Sequence, residues 1–207
     1  MEQEVRGFAR PGKEIPYVTA ALVILNVIVF LICTFTGDLL YNKGSVSVIY
    51  LMQGQWYRMI TSMFLHADIN HLVSNMLLLG GLGSMLEPVT GHWRLGVFYF
   101  LTGICGNGLS AIHELATGRF AESVGASGAV FGLLGVLLAM VVLAGKRVAQ
   151  ITLPRMLFVI ALSLYGGFTA ENVDNAAHIG GLLAGCLTGT VSGVARRIQQ
   201  RIKGRKK

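Results

Sequence analysis

Four polar side chains lie within stretches of sequence that are otherwise apolar. They are Ser127, His178, His71 and Asn75. Nucleophilic catalysis needs an attacking hydroxyl, a base that titrates near neutrality and donors for a developing oxyanion. These residue types supply all three, so they indicate a candidate hydrolytic site.

Each of these residues also has a simpler explanation. A serine that begins a helix often caps it, and a histidine in a membrane can relay protons or make an internal hydrogen bond. An asparagine one turn from a histidine can tie two helices together. His71 and Asn75 are spaced i, i+4 and so share a helix face. Catalysis is favoured because all four residues converge at one depth and on one side, provided that the apolar stretches cross a membrane.

The composition predicts a membrane protein. Of 207 residues, 53% are apolar and only 13% charged, and the mean hydropathy is +0.62. These values exclude a disordered chain and argue against a soluble globular one. About 20 apolar residues cross the hydrocarbon core. Six stretches are candidate spans, the fifth being short: 17–36, 69–86, 95–113, 123–145, 156–170 and 175–195.

The basic residues predict the orientation of these spans. With six spans, fourteen of the 17 Lys and Arg residues fall on the side of the termini and three on the other. The fourteen are Arg6, Arg10, Lys13, Arg94, Lys146, Arg147, Arg155 and the seven after Ala195, and the three are Lys43, Arg58 and Arg119. Both termini are therefore expected in the cytoplasm. The net charge of +7 is then an orientation signal, and we expect no nucleic acid partner.

Three segments follow from this topology. Residues 1–16 are an N-terminal cytoplasmic segment, 17–195 the membrane domain and 196–207 a basic cytoplasmic tail. The long first loop, 37–68, contains apolar runs too short to span, and its Trp56, Tyr57 and Arg58 suit the headgroup level. We expect an interfacial element there, either a plain amphipathic connector or one that shapes access to the site.

Glycines give two of the spans faces on which backbones can approach closely. The sixth span has one at every fourth position, at Gly181, Gly185, Gly189 and Gly193, and the fourth span has Gly128, Gly132 and Gly135. Small residues at this spacing allow helices in lipid to touch. If the two faces meet, Ser127 and His178 come within hydrogen-bond reach.

Several short motifs resemble those of rhomboid intramembrane serine proteases. They are Gly-Ala-Ser-Gly at 125–128, Ala-His-Ile-Gly-Gly at 177–181, and His66 followed by His-Leu-Val-Ser-Asn at 71–75. The resemblance runs in order over 56–189. It implies an all-α membrane protein, a six-transmembrane-helix bundle with a long interfacial first loop. It also implies proteolysis of membrane proteins in or near their transmembrane segments.

The resemblance assigns roles to individual residues. Ser127 matches the nucleophile and His178 the general base, in a dyad without a carboxylate. His71 and Asn75 match the side chains that stabilise the oxyanion together with the Ser127 backbone N–H. Phe131 lies where the family places an aromatic ring that packs on the catalytic histidine.

Further positions match residues that support the structure. His66, Arg58 and Glu87 correspond to residues that fix the first loop or the cytoplasmic helix ends. Asn175 is a candidate for orienting His178.

The partners implied are transmembrane-helix substrates and the bilayer. The expected location is the plasma membrane of a prokaryote.

Other classes of protein fit the sequence less well. A metal-dependent protease lacks its His-Glu-x-x-His motif, and no acidic pair within the spans supports an aspartyl protease. The separate cysteines Cys33, Cys105 and Cys186 predict neither zinc nor disulfides, so we expect no metal and no cofactor. A transporter or proton relay remains an alternative, as does an inactive relative that binds membrane helices, although such a relative would be expected to lose Ser127 or His178.

Overall fold

A computed structural model of the protein describes residues 15–37, 39–144, 148, 151–169 and 173–204. Its helices are α1 Tyr17–Thr36, α2 Leu39–Gly44, α3 Val48–Met52, α4 Arg58–Thr61, α5 Ile69–Thr90, α6 His92–Thr117, α7 Ser127–Ala144, α8 Leu153–Thr169 and α9 Asn175–Gly204, with a 3-10 turn at Ser62–Phe64. Within the described ranges, the extended pairing is limited to two isolated bridges. The expected all-α class is therefore confirmed.

Six of these helices are long, and each overlaps one of the six predicted spans. Among the residues described, α1, α5, α6 and α7 are each long and apolar enough to cross a membrane. The apolar part of α8 is shorter, as expected for the fifth span. The chain is an integral membrane protein, and membrane crossing by α8 and α9 stays a prediction. The N-terminal segment up to residue 14 and the positions 145–147 and 205–207 lie outside the described residues.

The end of α5 lies beyond the predicted span, because the helix continues through a charged residue. The Glu87 carboxylate accepts hydrogen bonds from the backbone N–H groups of Val18 and Thr19, both at 2.8 Å, and from Thr19 Oγ1 at 2.5 Å. His92 Nδ1 lies 2.5 Å from the same carboxylate. The first N–H groups of α1 lack helical partners and favour an anion. Glu87 therefore caps α1 and ties it to α5, which agrees with its expected structural position.

The predicted glycine faces do meet, and they join α7 to α9 along a seam of backbone contacts. A Cβ atom on Gly181 would overlap the carbonyl oxygen of Gly128, and one on Gly185 would overlap that of Gly132. Farther along, a Cβ on Gly189 would lie 2.8 Å from the Val136 carbonyl oxygen. Side chains are therefore excluded from this seam.

We expect Gly185→Leu to lower both the melting temperature and the rate of any reaction at the site. Overpacking a core typically costs about 1–3 kcal/mol, and here the added atoms would meet a backbone that cannot rotate away. The matched control is Val191→Leu, because Val191 on the same helix is 61% exposed. The measurements are thermal unfolding in detergent and turnover. Equal values for the two variants would contradict the packing role of the seam.

The first loop is folded against the end of the bundle that carries the candidate site. Arg58 is buried and donates to the carbonyl oxygens of Ser45 and Asn42, both at 2.8 Å. Glu114, near the end of α6, accepts from Ser47 Oγ at 2.7 Å and the Val48 N–H at 3.0 Å. The short helices of this loop are thus fixed to α6, and none of them is long enough to span a membrane.

Candidate active site

Ser127 is the first residue of α7, and the turn before it depends on a glycine. Gly125 has φ +129°, a conformation that residues with a side chain rarely adopt, and its N–H donates to the Ser62 carbonyl oxygen at 2.9 Å. A Cβ at this position would lie 2.8 Å from His71 Nε2 and 3.7 Å from Ser127 Oγ. Gly125 therefore lets the imidazole of His71 and the hydroxyl of Ser127 approach each other.

His178 lies in the first turn of α9 and is buried under an aromatic ring. Its imidazole stacks on Phe131, with ring centroids 4.3 Å apart and planes inclined by 13°. Phe131 is one helical turn after Ser127, so the ring that holds the imidazole belongs to the same helix as the hydroxyl. The seam at Gly128 and Gly181 brings the two helices together at this point.

No hydrogen bond joins Ser127 Oγ to His178 among the hydrogen bonds between described residues. His178 Nδ1 is buried and also lacks a partner in this part of the chain. Catalytic hydrogen bonds are often long in the absence of substrate and shorten when the complex forms. The structure thus places both groups on facing helices, but the expected hydrogen bond is not formed.

His71 and Asn75 face the same region from α5. Asp68 caps this helix by accepting from the His71 N–H at 2.9 Å, which fixes its first turn. Asn75 is 4% exposed, and its Nδ2 has no hydrogen-bond partner among the described residues. A buried donor without a partner costs about 1–3 kcal/mol. An unpaired buried group of this kind marks a catalytic role, a bound water or ion, or local strain.

The ring of His66 packs against the ring of His71. The His66 ring is fully buried and meets the His71 ring edge to face, with centroids 5.1 Å apart. Burial lowers the pKa of His66 to about 4, and the neighbouring His71 contributes in the same direction. His66 is therefore neutral at neutral pH and acts here as a packing group.

Sequence reasoning missed two polar residues that fix the surroundings of the site. Asp174 accepts from Ser110 Oγ at 2.5 Å and from the Ala177 N–H at 2.9 Å, so it caps α9 and ties it to α6. An aspartate directly before a helix start is a recognisable capping signal. Asn107 donates to Ser62 Oγ at 3.0 Å. Nothing in its sequence context indicates that contact.

The arrangement brings together a hydroxyl, an imidazole and two side-chain donors at one end of the bundle. Within the described residues, no group of three His, Cys, Asp or Glu side chains is placed to hold a metal ion. A serine hydroxyl and an imidazole placed on facing helices are the groups that nucleophilic catalysis uses. Glu87, which caps α1, lies near the end of α5 that is farther from His71 and Asn75.

Comparison with known proteins identifies relatives over most of the chain. Residues 53–194 match the model of the Rhomboid domain. Rhomboid protease GluP of Bacillus subtilis (strain 168) is 31% identical over 175 residues, which are 82% of this chain and 34% of that protein. RHOMBOID-like protein 5 of Arabidopsis thaliana is 38% identical over 151 residues, or 70% of this chain and 47% of that protein.

A third relative, Rhomboid-like protein 11, chloroplastic, of Arabidopsis thaliana, is 31% identical over 179 residues, or 79% of this chain and 61% of its own. The chain thus spans between about a third and three fifths of the length of these relatives. The several plant relatives argue against the prokaryotic source that was expected from the sequence.

Proposed function

Because this chain belongs to the rhomboid family, we propose that it is an intramembrane serine endopeptidase with a Ser127–His178 dyad. It hydrolyses peptide bonds in or near the transmembrane segments of membrane proteins. The observation that carries this proposal is the stacking of His178 on Phe131, one turn from Ser127, across a seam of touching backbones. A binding scaffold or a proton relay has no need for a serine at that position.

The mechanism follows from the groups present. His178 removes the Ser127 proton as the hydroxyl attacks the substrate carbonyl, and it later gives that proton to the leaving amine. The negative oxygen of the tetrahedral intermediate accepts from His71, from Asn75 and from the Ser127 backbone N–H. Water then hydrolyses the acyl-enzyme, which restores the serine.

The substrate must expose a peptide bond that its own helix protects. A transmembrane helix satisfies its backbone groups internally, so the bond becomes accessible only after local unwinding. Small or helix-breaking residues lower the cost of that step. The substrate class is therefore a membrane-spanning helix with such residues near the end that meets the outer side of the bilayer.

The test is cleavage by the purified protein in detergent of a panel of single-span substrates, with the cut mapped by mass spectrometry. We expect a cut close to the outer end of those helices that carry glycine or proline there. Matched substrates with leucine at the same positions serve as the control and should be cut more slowly. Absence of any cut across the panel would overturn the proposal.

The organisation of the chain is part of the same proposal. Residues 17–195 form the protease domain, 1–16 precede it in the cytoplasm and 196–207 are a basic cytoplasmic tail. This orientation places Ser127 and His178 towards the outer side. Nothing in the proposal requires a cofactor or a nucleic acid.

We expect impermeant thiol reagents to distinguish the two ends of the bundle. In a chain whose three cysteines are replaced, Arg119→Cys in the α6–α7 loop should react in intact cells. Trp93→Cys, at the start of α6, should react only after permeabilisation; Trp93 is 68% exposed, so burial does not limit its labelling. The physical reason is the concentration of basic residues on the side of Trp93. The reverse labelling pattern would contradict the orientation.

A further inference from the structure

Two buried polar atoms without partners lie beside Gly167 on α8. One is Asn175 Oδ1 and the other is His178 Nδ1, and neither has a hydrogen-bond partner within the described residues. A Cβ on Gly167 would lie 2.6 Å from the first atom and 3.4 Å from the second. Asn175 and His178 are three residues apart on α9, so their side chains share a face. An acceptor and a ring nitrogen are therefore adjacent in one small space.

The hydrogen bond made by the other end of the carboxamide fixes its orientation. Asn175 Nδ2 donates to the Gly167 carbonyl oxygen at 3.1 Å. Only the NH₂ group of the amide can face that carbonyl, because two oxygens would repel. The amide oxygen is thereby directed away from Gly167 O and into the space that contains His178 Nδ1.

Among the described residues, the carboxylate that acts on His178 already makes two hydrogen bonds of its own. Asp174 is close enough to His178 to act on it electrostatically. However, its Oδ2 accepts from Ser110 and its Oδ1 from the Ala177 N–H, so it is committed to capping α9. Phe131 covers one ring face of His178 but offers no acceptor for Nδ1.

We propose that Asn175 is the positioning residue of His178, an inference that rests on the proposed function. Its Oδ1 accepts the Nδ1 proton of His178, directly after a small rotation of the side chain or through one water molecule. This selects the tautomer whose Nε2 is unprotonated and able to take the Ser127 proton. A neutral amide does here what an aspartate does in a serine triad, as asparagine does in cysteine proteases of the papain type. Gly167 anchors the amide from α8.

Kinetic constants of Asn175 variants test the proposal. We expect Asn175→Ala and Asn175→Leu to lower kcat about tenfold, the effect of losing one hydrogen bond, with KM unchanged because the substrate does not contact Asn175. Asn175→Asp keeps an acceptor and should retain more activity than Asn175→Leu, which has a similar size. In Asn175→Asp, the acid limb of the pH–rate profile should move to higher pH, because a carboxylate favours the protonated imidazole. Asp174 and His71, the other titratable groups acting on His178, are unchanged in every variant.

A matched pair on α8 tests the anchor. Gly167→Ala should reproduce the loss of kcat, because its Cβ would displace Asn175 Oδ1. Gly166→Ala is the control, since a Cβ there meets nothing within 4 Å. Unchanged kcat and pH profile in both Asn175→Ala and Asn175→Leu would overturn the proposal.

A spectroscopic measurement separates this inference from the proposed function. In protein labelled with ¹⁵N histidine, the His178 ring should show a protonated Nδ1 in the unmodified chain and a mixture of tautomers in Asn175→Ala. Identical ring spectra would overturn the positioning role, whatever the activity. Failure of the unmodified chain to cleave any substrate would overturn the proposed function. The spectra would still show whether Asn175 fixes the tautomer of His178.

Discussion

Replacing Ser127 by alanine is expected to abolish cleavage, and His178→Ala is expected to do the same. The two side chains act as one unit, so the loss of either removes both attack and proton transfer. In serine proteases such changes lower kcat by about 10⁶-fold. The measurement is the initial rate on a single-span substrate, together with labelling by a fluorophosphonate probe, which should modify Ser127 and be lost in Ser127→Ala.

The control for this result is a serine elsewhere in the bundle. Ser84 lies on the exposed face of α5, and Ser84→Ala should keep both the rate and the melting temperature. Ser127→Ala should also keep the melting temperature, since it removes one partly exposed oxygen. Cleavage that survives in purified Ser127→Ala protein would refute the assignment of this residue as the nucleophile.

Asn75→Ala is expected to have the second largest effect, a loss of about 10²–10³ in kcat, the usual cost of removing one oxyanion donor. Asn75 Nδ2 is buried and has no hydrogen-bond partner among the described residues, as the proposed role requires of a donor whose acceptor forms only during a reaction. The loss should fall on kcat rather than on substrate affinity, since the donor stabilises the transition state more than the bound substrate. It should be smaller than the loss in Ser127→Ala, because His71 and the Ser127 N–H remain.

Single-turnover cleavage and substrate affinity, measured for the same protein samples, separate these effects. Asn70→Ala is the matched control, because Asn70 is an exposed asparagine in the first turn of the same helix. A variant Asn75→Ala that binds substrate weakly but cleaves it at the normal rate would show that Asn75 only ties α5 to its neighbours.

The sequence predicted those parts of the fold that depend on local signals. The bounds of α1 match the predicted span because Pro16 and Gly37 flank a run without charged residues. The α7–α9 seam was predictable because a glycine at every fourth position has one physical use in lipid. The helix α5 extends past the predicted span 69–86, because a charge-free criterion stops before Glu87, whereas the N–H groups of α1 satisfy that carboxylate.

In the candidate site, too, the features with local sequence signals were predicted and those that depend on tertiary contacts were not. Its four polar residues and the ring of Phe131 were identified from the sequence, because each is unusual in its apolar context or matches a motif. The anchoring of Asn175 by Gly167 was not, since it depends on how α8 is rotated about its own axis against α9. The capping of α9 by Asp174 lay between these cases: its signal is local, but its bond to Ser110 is a tertiary contact.

The seam of touching backbones also determines how this protein can change over evolutionary time. In an ordinary core a larger side chain at one position is accommodated by a smaller one opposite, so sequences drift through paired substitutions. Between Gly181 and Gly128, or Gly185 and Gly132, there is no side chain on either helix to shrink. A smaller side chain on the facing helix therefore cannot compensate for a larger residue at these positions. We expect the exposed positions of the same helix, such as Leu183, Leu187 and Val191, to vary among apolar residues, so that constrained and tolerant positions lie on opposite faces of one helix.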